Sequence, residues 1–137
     1  GIAMNAISDA NLFMETMPPY WTVGRARFEK RMGKEPEFLR KISPLHQADR
    51  FACPLLLIHN ANDVRVVKEH SDRMAAALRE HGKDVTYLLF PAAGHVGGGS
   101  VNSVWTRWAA IEAFLAKHFG GRAEPPGPTE HWESLLK

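Results

Sequence analysis

The sequence predicts an α/β protein in which a parallel sheet carries helices on its faces. Three observations lead there. The run Leu55-Leu56-Leu57-Ile58 is apolar without alternation, as expected of a strand covered on both sides. A second run, Val85 to Phe90, is β-branched and aromatic, the composition of a packed pleated surface. Between them, residues 66–82 carry a helical pattern, and strand, helix, strand in that order is how parallel strands are joined.

Taken in order, the chain opens on GIAMNAIS, predicted as an apolar strand over residues 2–7. An opening almost inside a strand is expected of a piece cut from a longer protein. Ser8 to Asn11 breaks the strand, and Asn11 to Met14 is predicted as a short helical turn that Pro18-Pro19 stops. From Tyr20, apolar Trp21, Val23, Ala26, Phe28 and Met32 recur among basic residues up to Gly33, the pattern of a surface amphipathic helix with a glycine stop. A short helix follows around Phe38 to Lys41, and Pro44 suits the first position of another turn.

The central strand is predicted over 54–59. In the helix after it, Met74, Ala77, Leu78 and His81 form the apolar stripe, and Gly82 stands where a left-handed cap belongs. Pro91 to Ser100 is a glycine-rich loop whose glycines at 97–99 lack the lysine and serine or threonine of a phosphate loop, so it is expected to act as a flexible lid. The last helix is predicted from about Asn102 to His118. Val101, Val104, Trp105, Trp108, Ile111, Leu115 and Phe119 make its broad apolar face, and Gly120-Gly121 ends it. Residues 1–121 are read as one partial domain. Residues 122–137 are a proline-rich tail, expected to be a loosely ordered arm.

Composition narrows the function classes. Of 137 residues, 45% are hydrophobic and 23% charged, with a net charge of +2, which suits roughly one globular domain. The basic residues are interspersed with acids, so no nucleic-acid footprint is expected. No apolar run approaches the roughly 20 residues of a membrane span, and no signal-peptide pattern occurs within the chain. Localisation stays open. The single cysteine, Cys53, excludes an internal disulfide framework and is read as a structural thiol leading into the central strand. His46, His59, His70, His81 and His118 show no ligand spacing, so neither a metal nor a cofactor is expected. His59 is favoured as a packed core residue over one lining a site.

The residues that could carry chemistry lie just past the two buried strands. Asp63 follows the first and His95 follows the second. Loops at the carboxyl ends of parallel strands open on one rim, where ligands and catalytic groups gather. A carboxylate there can fix the tautomer of an imidazole and leave its other nitrogen free as a general base toward a hydroxyl. Read from the residues alone, a helix-capping Asp beside an unrelated loop His stays open as the alternative.

The blocks around this pair carry a resemblance. ISDANLFMETMPPYW, SPLHQAD, CPLLLIHNANDVRV, SDRMAAALREHGKDVTYLLFP, the Gly94-His95 pair and IEAFLAKHFGGR resemble, in content, order and spacing, the catalytic domain of the prolyl-oligopeptidase family of serine peptidases. The resemblance covers roughly residues 1–123. It implies the C-terminal half of an α/β-hydrolase fold, Asp63 as triad acid, His95 as triad base, a peptide substrate, and hydrolysis through an acyl-enzyme. The family's nucleophile elbow, G-x-S-x-G, would precede the first strand, and these 137 residues contain no such motif.

Ser100 and Ser103 follow the histidine too closely to replace the nucleophile. Ser100 is read as a helix N-cap and Ser8 as a turn residue. Losing a triad nucleophile removes on the order of 10⁶-fold of rate, so the chain alone is expected to be catalytically silent. Arg65 is a candidate substrate-binding residue, able to hold a carboxylate or phosphate bidentately, with a solvated or structural role equally open. Trp21, with Tyr20, is a candidate wall over the site. As partners, the sequence suggests self-association, or pairing with the absent N-terminal half or another chain, through the apolar first strand. The alternatives in function are a non-catalytic α/β module that pairs with another chain, and an esterase-type α/β-hydrolase fragment.

Overall fold

In the computed structural model, which describes residues 1–95, 101–125, 127 and 132–137, three strands form one parallel sheet. They are β1 (Ile2–Met4), β2 (Leu55–Asn60) and β3 (Val85–Phe90), in the spatial order β1-β2-β3. Ile2 lies opposite Leu56, and Leu56 lies opposite Thr86. β2 is central and all six of its residues are buried, which explains a sequence that never alternates.

Helices cover both faces. Leu56 and Ile58 of β2, with Leu88 and Phe90 of β3, pack against Ala110, Ile111 and Phe114 of α5 (Val101–Phe119). Leu55, Leu57 and Tyr87 point the other way, onto Met74, Ala75 and Leu78 of α4 (Glu69–Glu80). The excursion between β1 and β2 holds α1 (Ala10–Thr16), α2 (Thr22–Met32) and α3 (Pro36–Ile42), then a 3₁₀ segment at Pro44–Arg50. It builds a separate core around Phe13, Met14, Met17, Leu39 and Val66, against which Trp21, Phe28 and Met32 lean. Phe13 and Phe28 meet edge to face at 5.0 Å, a favoured aromatic geometry.

Several expectations need correction. β1 stops at Met4 rather than at residue 7, because Asn5 turns into the left-handed region at φ 44° and takes the chain out of the sheet. α4 starts at Glu69, since the segment before it is spent on the turn after β2, and His81 is an exposed C-cap rather than a stripe residue. Gly82 does adopt the left-handed cap, at φ +65°. α5 buries a face centred on Thr106, Ala110, Ile111 and Phe114. Trp105, Trp108 and Phe119, counted in its broad apolar face, are 58%, 57% and 82% exposed.

Cys53 is exposed rather than packed. The tail is not a loose arm at its end. Leu136 forms an antiparallel bridge to Leu88, and Lys137 N–H donates to the Tyr87 carbonyl at 3.0 Å, so it covers the outer edge of β3. The glycines at 97–99 and Ser100 lie outside the described residues. Among the described residues, no helix is long and apolar enough to cross a membrane, and no group of three His, Cys, Asp or Glu could hold a metal ion.

Candidate active site

The chain turns sharply after β2. Asp63 N–H donates to the Asn60 carbonyl at 3.0 Å. Its Oδ1 accepts the N–H groups of Arg65 at 2.9 Å and Val66 at 3.0 Å, an Asx-type turn in which the side chain replaces a backbone acceptor. The second oxygen, Oδ2, lies 2.7 Å from Nδ1 of His95. The Asp63 side chain is wholly shielded from solvent, whereas that of His95 is 32% exposed. A buried carboxylate with both oxygens engaged is fixed in place, and its acceptor character puts the proton of neutral His95 on Nδ1. Nε2 is then the basic nitrogen, able to take a proton from a hydroxyl placed beside it.

His95 reaches this position because the loop after β3 is zipped to the turn after β2. Ala61 N–H donates to the Phe90 carbonyl at 2.9 Å and Asn62 N–H to that of Ala93 at 3.1 Å. Beside the imidazole, Met4, Asn5, Ile58, Asn60, His95 and Arg107 line a cleft of about 250 Å³. Arg107 lies over the Phe90 ring at 5.1 Å and donates to Asn60 Oδ1 at 3.4 Å. Burial pushes its pKa down.

The structure brings Arg65 and Trp21 together, with the guanidinium 5.5 Å from the ring centroid. Both stand by the Asp63 turn, and neither lines the cleft beside His95. His59 is a core residue, as favoured from sequence. It is fully buried; its Nε2–H donates to the Val66 carbonyl at 2.8 Å and its Nδ1 accepts from Ser71 Oγ at 2.7 Å. Burial pushes its pKa down. Ser8 is structural, donating to the His70 carbonyl at 2.7 Å. Ser103 lies inside α5 and on no strand-to-helix elbow. Sequence reading gave no role to Asn5, Asn60 or Arg107. A polar residue interrupting the apolar GIAMNAIS stretch was the available signal for the first.

The model of the prolyl oligopeptidase family matches residues 1–122. This chain belongs to that family. Among its relatives, dipeptidyl aminopeptidase BIII of Pseudoxanthomonas mexicana is 38% identical over 93% of this chain and 19% of its own length. Dipeptidyl peptidase family member 6 of Caenorhabditis elegans is 33% identical over 97% of this chain and 19% of its own. The acylaminoacyl peptidase of Pyrococcus horikoshii superposes with a TM-score of 0.75 at 28% identity, covering 84% of this chain and 19% of that one. The chain thus spans about a fifth of the length of these prolyl-oligopeptidase relatives. Its parallel sheet and flanking helices form part of an α/β-hydrolase fold.

Proposed function

We propose that this chain is the acid and base portion of a serine-peptidase catalytic domain, acting with a nucleophile that lies outside these 137 residues. The observation that carries this is the 2.7 Å pair between buried Asp63 and partly exposed His95 at the rim of the sheet. In this reading His95 Nε2 takes the serine Oγ proton as the oxygen attacks a peptide carbonyl, and returns it to the departing amine. Water then releases the acyl group by the same route, while Asp63 holds the tautomer and stabilises the imidazolium. Arg65, held against Trp21 outside the cleft beside His95, would in this reading serve as a donor fork for a more distant substrate carbonyl or carboxylate, with Trp21 as the wall beside it. The peptide-cleaving names of the relatives favour a peptide over a simple ester.

The partner is the segment that bears the serine. Ile2 and Met4 leave 37% and 53% of their surface exposed, and β1 pairs only with β2 among the described residues, so its outer edge suits a further parallel strand. The test is reconstitution. The chain alone should leave a peptide nitroanilide intact. Joined to a preceding catalytic-domain segment with G-x-S-x-G, it should hydrolyse the nitroanilide, and Asp63→Asn or His95→Ala should then cost about 10⁴-fold or more. Full activity in the His95→Ala form would overturn the reading.

A further inference from the structure

Two asparagines tie down the loop that carries His95. Asn5 ends β1 in the left-handed region, at φ 44°, where it is the only non-glycine among the described residues with positive φ. Asparagine tolerates that conformation better than most residues. The backbone N–H of Asn5 donates to the Ile58 carbonyl at 2.9 Å. Its Oδ1 accepts Asn60 N–H at 3.0 Å, and its Nδ2 donates to the His95 carbonyl at 3.1 Å. Asn60, at the end of β2, donates from Nδ2 to the Gly94 carbonyl at 2.7 Å, while Arg107 donates to its Oδ1 at 3.4 Å. Two successive carbonyls of the loop are therefore each held by a side-chain amide, and the Arg107 donor fixes which way the Asn60 amide faces.

The direction of the pull matters. His95 follows β3, yet its carbonyl is tied to the end of β1, and β2 lies between those two strands. We infer that Asn5 and Asn60 are positioning residues, which draw the His95 backbone across the rim from β3 toward β1 and thereby set its imidazole against Asp63. This rests on the reading of His95 as the base, and the cleft that His95 lines is shared with Met4 and Asn5 at the end of β1.

The test is nuclear magnetic resonance on the whole chain with ¹⁵N-labelled histidine, following the Nδ1 proton of His95. Asn5→Gly keeps the left-handed backbone free of strain and deletes the amide; Asn60→Ser deletes the other. Each should speed exchange of that proton with water about fivefold to tenfold, the worth of one hydrogen bond, while amides in the core of β2 exchange as before. Asp63→Asn should abolish the resonance. An unchanged exchange rate in folded Asn5→Gly and Asn60→Ser, with the Asp63→Asn loss still seen, overturns the positioning role alone. No loss in Asp63→Asn overturns the base reading itself. The unaltered chain gives a check that needs no variant. The side-chain amide protons of Asn5 and Asn60 should exchange several-fold more slowly than those of an exposed asparagine, and equal rates would sink the inference.

Discussion

Asp63 shows how one side chain can serve both the fold and the chemistry. Oδ1 closes the turn through the N–H groups of Arg65 and Val66, and Oδ2 meets His95. Asp63→Asn separates the two duties. Its amide oxygen can still close the turn, but an NH₂ then faces Nδ1 and the neutral imidazole must move its proton to Nε2. The expected result is a switch of His95 tautomer, seen in the imidazole ¹⁵N shifts, with a loss of about 1–3 kcal/mol in urea unfolding. An unchanged tautomer would show that the carboxylate does not orient the ring. Asp63 and His95 were legible because each directly follows a strand whose apolar run is plain in the sequence. Asn5, Asn60 and Arg107 were not, because their bonds reach loop carbonyls far along the chain. Those partners are set by the path of the fold and leave no periodic signal.

Legibility among the elements follows how completely each is covered. β2, β3 and α4 were readable because the sheet is buried on both faces, and continuous apolar runs leave little choice. The bounds of α5 were legible but its inner face was not, because its most apolar residues do not mark that face. The side packed on β2 and β3 uses compact Thr106 and Ala110 beside Ile111 and Phe114, while Trp105, Trp108 and Phe119 stay outside. Burial, not residue type, should then decide the cost of truncation. Leu78→Ala, at a side chain 1% exposed between α4 and the sheet, should cost about 2–5 kcal/mol. Phe119→Ala, at 82% exposure, should stay within about 0.5 kcal/mol. Denaturant midpoints at constant slope compare them, and equal costs would mean that α5 is seated differently. Gly82→Ala isolates the backbone. Nothing lies within 4 Å of the added Cβ, yet φ is +65°, so any loss, about 1–2 kcal/mol, is conformational.

For the molecule as a whole, the groups that bind its layers together also tie its stability to pH. His70 is fully buried where α4 meets the turn before α1. Its Nδ1 accepts Ser8 N–H at 3.4 Å, and its Nε2 has no partner among the described residues. Burial holds its pKa down at about 4; the nearby His59 and Arg73 also disfavour its charge, and Asp9 and Glu69 only partly offset them. His59 is lowered as well, by its own burial. In the unfolded chain both return toward the usual histidine value of about 6.5. Between those limits the unfolded state binds protons that the native state refuses, so stability falls as pH drops from about 6.5 to about 4 and levels off for this group below that. For His70 the full loss is about 3 kcal/mol. Urea midpoints measured across this window should decline steadily, and His70→Gln, which cannot titrate, should flatten the decline whatever its cost at neutral pH. A slope unchanged by His70→Gln would place the proton uptake elsewhere.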